Sequence, residues 1–136
     1  MHVNPYVFFD GKCEEALDFY KSKLGAKVNV LMRYSENPNP AHNPPGSDEK
    51  VMHSEFQVGD SKIMASDGLC HGKPSFQGFS LTIQCASDAE AQRLYTALGE
   101  GGQVQMPLGP TFFAHSFGMV ADKYGIGWML IHPKQP

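Results

Sequence analysis

The feature that most constrains the fold of this chain is an internal repeat. Leu24-Gly25, at the end of one predicted helix, recurs 74 positions later as Leu98-Gly99 at the end of another. His53-Ser54 recurs 62 positions later as His115-Ser116, and a proline-rich insertion in the first half would produce this shorter offset. Neither half has enough strands to cover both faces of its sheet, so the halves should pair. The repeat therefore predicts an α+β fold of two tandem βαβββ modules, related by a pseudo-twofold axis and forming a cupped mixed sheet.

Two amphipathic helices and eight strands make up the predicted modules. Apolar residues at helical spacing begin at Cys13 and end at Leu24, and Gly25 can adopt the left-handed conformation that ends a helix. A second helix begins after Ser87, with Glu90 three positions later as in a capping box, and it ends at Gly99. Strands are predicted at residues 3–10, 26–34, 51–58, 62–66, 79–85, 103–106, 111–121 and 127–132.

The length of 136 residues fits a single domain. Module one spans about residues 1–68, a linker about 69–77, and module two about 78–136. Residues 35–50 contain four prolines and almost no apolar side chain, which excludes a helix or a central strand. This segment is predicted to be a loop, either a solvated insertion or a functional lid.

Composition excludes several classes of partner. The net charge is -3 and the eleven Lys and Arg residues are scattered, whereas nucleic-acid binding needs a concentrated basic face. No apolar run approaches the roughly 20 residues that span a bilayer, and the N-terminus does not resemble a signal peptide. Cys13, Cys70 and Cys85 are widely spaced, so we expect reduced thiols and a cytoplasmic protein.

Candidate site residues lie on the two strands that carry the repeated histidines. Strand alternation places His53 and Glu55 on one face, and Phe113, His115 and Phe117 on one face of the matching strand. Two imidazoles and a carboxylate could bind zinc or transfer protons, if the histidines approach across the pseudo-twofold axis and do not simply face water. Large aromatic side chains on strands are either core or pocket. The candidate pocket residues are His53, Glu55, Phe113, His115, Phe117 and Trp128.

Three segments resemble the PhnB-like family of the vicinal oxygen chelate superfamily: NPYVFFDGKCEEALDFY, HSEFQVGDSKIMASD and TFFAHSFGMVADKYGIGWML. This superfamily includes glyoxalase I, bleomycin-resistance proteins, fosfomycin-resistance enzymes and extradiol dioxygenases. The resemblance runs from about residue 3 to 132, and its most specific part is the run from Asp122 to Met129. It implies paired βαβββ modules, usually in a homodimer.

The same resemblance bears on metal binding. Metal-dependent members place His or Glu at four positions, which by motif fall near Pro5, Met64, Phe79 and Met129. None of these residues offers an imidazole or a carboxylate, and thioether sulfur is a poor ligand for the usual divalent ions. The resemblance therefore implies either ligand binding without metal, as in bleomycin-resistance members, or a displaced divalent-metal site formed by the alternative set of His53, Glu55 and His115.

Three functions follow as hypotheses. The first is a homodimer that binds a small organic ligand in an apolar cup, with no metal or other cofactor. The second is a metal-dependent lyase, isomerase or dioxygenase, and the third is a structural or partner-binding module. Relatives carry the label of a demethylubiquinone methyltransferase domain, but the sequence has no glycine-rich strand-to-helix turn to hold a nucleotide methyl donor. Whether the protein is an enzyme stays open at this point.

Overall fold

A computed structural model describes residues 1–68 and 73–135. The chain divides into two compact units, Met1–Pro74 and Ser75–Pro136, and the division falls within the predicted linker. Cys70, one of the three predicted thiols, lies outside the described residues. Within the described ranges, no helix combines the length and the hydropathy needed to cross a bilayer.

Within the described residues, each unit contains one α-helix and one four-stranded mixed sheet. In unit 1 the elements are β1 (Tyr6–Phe8), α1 (Cys13–Leu24), β2 (Lys27–Arg33), β3 (Val51–Val58) and β4 (Ser61–Ser66). In unit 2 they are β5 (Leu81–Gln84), α2 (Asp88–Gly99), β6 (Gln103–Gly109), β7 (Ala114–Ala121) and β8 (Gly127–Pro133).

The two sheets have the same topology. Their strand orders are β1-β4-β3-β2 and β5-β8-β7-β6. In each sheet the first strand of the unit pairs in parallel with the last, and the other neighbours are antiparallel. The predicted repeat and the α+β class of two βαβββ modules are therefore confirmed.

Helix α1 begins and ends where the sequence predicts. Its apolar stripe is buried, and Gly25 closes it with a φ of 67°. Tyr20 stacks on Phe56 of β3 with ring centroids 5.3 Å apart, so α1 covers one face of the sheet. The first turn is held by Asp67, whose Oδ1 accepts hydrogen bonds from the backbone N–H groups of Gly11 and Cys13 at 2.7 and 3.1 Å.

Helix α2 begins with the predicted cap. The Ser87 Oγ accepts a hydrogen bond from the Glu90 N–H at 3.1 Å, which satisfies one of the unpaired donors of the first turn. The Glu90 carboxylate accepts in turn from the N–H of Ala86 at 3.2 Å, one residue before the cap. The buried residues of the helix are Ala91, Leu94 and Leu98.

Several strand boundaries differ from the prediction. The strands predicted at residues 3–10 and 79–85 are shorter, and the strand predicted at 111–121 begins only at Ala114. The cause of the last difference is a turn, in which the Thr111 N–H donates to the Ala114 carbonyl at 3.0 Å. The Thr111 Oγ1 also accepts from the Ala114 N–H at 3.1 Å, so local hydrogen bonds replace the sheet ladder.

The proline-rich loop is confirmed as a segment without strands. It continues the β2–β3 hairpin through backbone hydrogen bonds from Tyr34 to Lys50 and from Ser35 to Asp48, both 3.1 Å long. Two single-turn 3₁₀ helices, Tyr34–Glu36 at its start and Pro40–His42 inside it, correct the expectation that the prolines exclude any helix, because proline is tolerated in the first turn. Asn43 Nδ2 donates to the Tyr34 carbonyl at 2.8 Å, so side chains as well as backbone order the loop.

Candidate functional site

Each sheet has a face that its helix does not cover, and we call this the open face. In unit 1, the buried Ser54 and Phe56 contact α1, so alternation places His53, Glu55 and Gln57 on the open face. In unit 2, Ser116 donates a hydrogen bond to α2 and Gly118 lies against it. His115, Phe117 and Met119 are therefore on the open face of that sheet, as the alternation predicts.

A tyrosine and a histidine are joined on the open face of unit 1. The Tyr6 Oη lies 3.0 Å from the His53 Nδ1. Tyr6 also stacks on Phe8, with ring centroids 4.8 Å apart. In the sheet, Met64 pairs with Tyr6 on one side and with Glu55 on the other. Strand pairing thus gathers a hydroxyl, an imidazole, a carboxylate and a thioether on one surface.

A β-bulge orients the carboxylate of Glu55. The pairing of β2 with β3 shifts between Val28 and Val30, which leaves Asn29 as the extra residue. The Asn29 Nδ2 donates to Glu55 Oε2 at 2.8 Å and to Gln57 Oε1 at 3.2 Å. The bulge therefore aims an amide at the side chains of the neighbouring strand.

The open face of unit 2 contains a groove with a volume of about 730 Å³. Phe79 and Met129, the two module-two positions where the resemblance places metal ligands, both line it. Gly127 also lines it, and a Cβ at that position would lie 3.2 Å from Ser80 Oγ. The other lining residues are Phe76, Gln77, Gly78, Ser80, Gln105, Met119 and Gly125.

His115, a predicted site residue, lies beside a second histidine. Its ring centroid is 4.9 Å from that of His132, whose Nδ1 is 2.8 Å from Asp88 Oδ1. The Ser116 hydroxyl donates to the same Asp88 oxygen at 2.6 Å. These hydrogen bonds, from Ser116 and then from His132, hold the pKa of the Asp88 carboxyl below its usual range. Because the serine proton points to the carboxylate and not to an imidazole, the group is not arranged as a nucleophile and its base.

The aromatic candidates separate into surface and core. Phe113 and Phe117 pack edge to face, with ring centroids 5.2 Å apart, and Phe113 remains 41% exposed. Trp128 is only 2% exposed, and its indole N–H donates to Asp122 Oδ2 at 2.9 Å. Trp128 is therefore a core residue of unit 2 and does not lie on the open face of its sheet.

The residues at the four expected ligand positions do not fit a metal ion. Pro5 and Met64 are neighbours, since the Met64 N–H donates to the Pro5 carbonyl at 3.0 Å, but Pro5 has no side-chain donor. Phe79 has none either, and Met129 offers only a thioether. Within the described part of each unit, no three His, Cys, Asp or Glu side chains are grouped to hold a metal. The alternative set of His53, Glu55 and His115 takes residues from both units and stays a prediction.

The partners of these residues are not predicted by the sequence. Tyr6 was predicted to be on a strand, but nothing in the sequence indicates that β1 pairs with β4 and brings it to His53, 47 positions away. Asn29 gives no signal because a bulge depends on strand register. Asp88 and His132 are 44 positions apart and meet only through the packing of α2 on the sheet.

Comparison with known proteins agrees with this geometry. The profile of a family described as "3-demethylubiquinone-9 3-methyltransferase" matches residues 1–131. Protein YjdN of Escherichia coli K12 is 34% identical over 99% of this chain and 97% of its own length. Protein PA1353 of Pseudomonas aeruginosa is 38% identical over 99% of both chains, and its crystal structure gives a TM-score of 0.87.

Two further solved structures define the wider group. The PhnB protein of Bacillus cereus is 29% identical, with a TM-score of 0.80 over 97% of this chain and 99% of its own. A glyoxylase/bleomycin resistance protein/dioxygenase domain from Frankia is 16% identical over 98% and 95% of the two chains, with a TM-score of 0.65, and shows the fold alone. The chain therefore belongs to the PhnB-like family described as 3-demethylubiquinone-9 3-methyltransferase, and its two βαβββ units have the fold of the vicinal oxygen chelate superfamily.

Proposed function

We propose that this protein binds a small organic ligand in an apolar cup, without a metal ion. The observation that carries the proposal is the side chains at the four expected ligand positions. Two of them, Phe79 and Met129, line a groove of about 730 Å³. This volume is in the range of pockets that hold small molecules, roughly 300–1,000 Å³. Apolar side chains thus occupy the positions at which the resemblance implies a metal ligand in metal-dependent members.

Ligand binding is tested directly by thermal stabilisation. Small aromatic and aliphatic compounds that bind the folded protein should raise its melting temperature. We expect Met129→Gln to weaken this effect, because an amide in the groove must be desolvated when an apolar ligand binds. Met129→Leu, which keeps an apolar side chain of similar size, should retain it. If no compound in a broad panel raised the melting temperature, a structural or partner-binding module would replace this proposal.

Absence of a bound metal is tested by elemental analysis. The protein, purified without chelators and without added metal, should contain zinc, nickel, manganese and iron well below one ion per chain. One tightly held ion per chain would contradict the metal-free part of the proposal. In that case His115→Ala identifies the site, since loss of a true ligand should lower the bound metal severely.

A ligand-binding role fits the strand-to-helix turns better than methyl transfer does. The β1–α1 turn contains the single glycine Gly11, and the residues between β5 and α2 are Cys85, Ala86 and Ser87. Binding of a nucleotide-containing methyl donor usually depends on a glycine-rich turn between a strand and a helix. S-adenosylmethionine should therefore leave the melting temperature unchanged.

We also propose that the protein is a homodimer. Large apolar side chains of unit 2 are exposed on β6 and in the turn before β7, including Val104 (58%), Met106 (42%) and Phe112 (91%). Exposed large apolar side chains that lie together are typical of association surfaces. Sedimentation at low micromolar concentration should give a species of twice 15.0 kDa, and a 15.0 kDa species would contradict the proposal.

The state of the cysteines supports a proposed cytoplasmic location. Cys13 and Cys85 are buried free thiols, and burial raises the pKa of Cys13 to about 12. Unpaired thiols persist most readily in a reducing compartment. Fractionation of cells that express the tagged protein should recover it in the cytosolic fraction, and recovery elsewhere would contradict this assignment.

A further inference from the structure

The open face of unit 1 differs in chemistry from the apolar groove, and it suggests what kind of ligand is bound. We propose that Tyr6 and His53 form a hydrogen-bonding pair that recognises a hydroxyl group, phenolic or enolic, on an otherwise apolar ligand. This inference rests on the proposed function and specifies the chemistry of its ligand. It assigns the pair a binding role, with no chemical step.

The pair has the donors and acceptors that a hydroxyl needs. The contact between Tyr6 Oη and His53 Nδ1 uses one ring nitrogen, and among the described residues the other, Nε2, has no hydrogen-bond partner. If the tyrosine donates to Nδ1, Nε2 carries the proton and donates. If Nδ1 donates to the tyrosine, Nε2 can accept. A ligand hydroxyl, which both donates and accepts, is compatible with either arrangement.

The neighbouring charges favour a neutral hydroxyl over an anion. Glu55 is two positions from His53 on the same open face, and only its Oε2 is used by Asn29. A carboxylate roughly 7 Å along the strand would repel an anionic group at His53. The lysines of this face, Lys27 and Lys62, are opposite Gln57, about 13 Å further along β3.

Apolar side chains surround the pair, as the body of such a ligand requires. Phe8 stacks on the Tyr6 ring, Met32 pairs with His53 across β2 and β3, and Met64 pairs with Tyr6. Met32 is 36% exposed, so it has surface to offer. A ligand with one hydroxyl could thus place its polar group on Nε2 and its apolar body on these side chains.

Two probes of nearly equal shape test the inference. 4-Nitrophenol and 4-nitrotoluene differ in a hydroxyl against a methyl group, and their binding is measured by calorimetry at a pH at which the phenol is protonated. We expect the protein to bind 4-nitrophenol about three- to tenfold more tightly, the effect of one neutral hydrogen bond. His53→Ala and Tyr6→Phe should remove the preference while leaving 4-nitrotoluene binding unchanged. Gln57→Ala, on the same face of the same strand, should keep it.

The outcomes separate this inference from the proposed function. Equal binding of the two probes by the unmodified protein overturns the hydroxyl site and leaves the apolar cup standing. A preference that survives in both His53→Ala and Tyr6→Phe also overturns it. If neither probe binds, both the proposed function for aromatic ligands and this inference fail. Circular dichroism of each variant shows whether lost binding reflects lost folding, and Tyr6→Phe, which removes a single oxygen, decides the case if His53→Ala is unfolded.

Discussion

Units 1 and 2 share a topology but differ in how they stabilise it and in what their open faces present. At the start of the helix, unit 1 uses a distant side chain, Asp67, whereas unit 2 uses the local cap Ser87. On the open face, unit 1 presents the polar pair of Tyr6 and His53, whereas unit 2 presents a groove that contains Met129. The comparison shows that strand order is preserved by backbone pairing, while the contacts on either side of the sheet are free to diverge.

The packing between helix and sheet gives the largest contrast. Phe56 of unit 1 is 1% exposed and stacks on Tyr20, whereas 62 positions later unit 2 has Gly118 beneath Tyr95. We expect Phe56→Ala to lower the free energy of unfolding by about 3–5 kcal/mol, since it leaves a cavity under α1. Urea unfolding measures the loss. A loss below about 1 kcal/mol would show that the core of unit 1 does not depend on this aromatic pair.

The β-turns of the two units give the next contrast. Asp122 is 3% exposed and accepts hydrogen bonds from the Tyr124 and Ile126 N–H groups and from the indole of Trp128, at 2.9, 3.2 and 2.9 Å. Asp122→Ala should lower the free energy of unfolding by about 3 kcal/mol, because it leaves buried donors unpaired. Asp60 lies 62 positions before Asp122, in the β3–β4 turn of unit 1, and it is exposed. Asp60→Ala should change the free energy of unfolding by less than about 0.5 kcal/mol. If Asp122→Ala and Asp60→Ala lowered the free energy of unfolding equally in chemical denaturation, the two turns would contribute equally to stability.

A substitution at Gly118 tests the helix–sheet contact of unit 2, which corresponds to the contact between Phe56 and Tyr20 in unit 1. A Cβ there would lie 3.0 Å from Leu108 Cα and 3.1 Å from Tyr95 Cε2, so backbone would have to move. Gly118→Ala should lower the free energy of unfolding by about 1–3 kcal/mol through overpacking. Gly109→Ala is the matched control, because a Cβ at that position meets nothing within 4 Å. If Gly118→Ala melted at the same temperature as this control, both Leu108 of β6 and Tyr95 of α2 would have room to shift.

The smallest expected effect is a pH dependence confined to unit 2. The pKa of Asp88 is lowered by the hydrogen bonds from Ser116 and His132, so the folded state favours its charged form. The stabilising effect is complete above the ordinary aspartate pKa of about 3.9 and is lost as pH falls through the lowered value. The free energy of unfolding of Asp88→Asn should therefore differ most from that of the unmodified protein near neutral pH. The two free energies should converge at acidic pH.

Asp18→Asn, on the exposed side of α1, provides the control for this titration. The free energy of unfolding of this variant should be close to that of the unmodified protein at every pH, because Asp18 has no hydrogen bond or ion pair in the described part of the chain. If Asp88→Asn changed the free energy of unfolding by the same amount at neutral and acidic pH, the hydrogen bonds to Asp88 would not depend on the charge of its carboxylate.

The sequence alone determined the order of elements and the position of the helices. Helical spacing and Gly25 placed both ends of α1, and Ser87 placed the start of α2, because these signals act within one or two turns of chain. Proline density likewise predicted the loop over residues 35–50. Strand alternation correctly placed His53 on the same face as Glu55, and His115 on the same face as Phe117.

Only the tertiary structure decided which side chains meet. Parallel pairing of β1 with β4 brings Pro5 beside Met64 and Tyr6 to His53, and packing of α2 on its sheet brings Asp88 to His132. Alternation fixes the face on which a residue lies, but its neighbour across the sheet depends on the partner strand and its register. The partner strand and its register are determined by burial over the whole unit, and short-range sequence patterns do not contain this information.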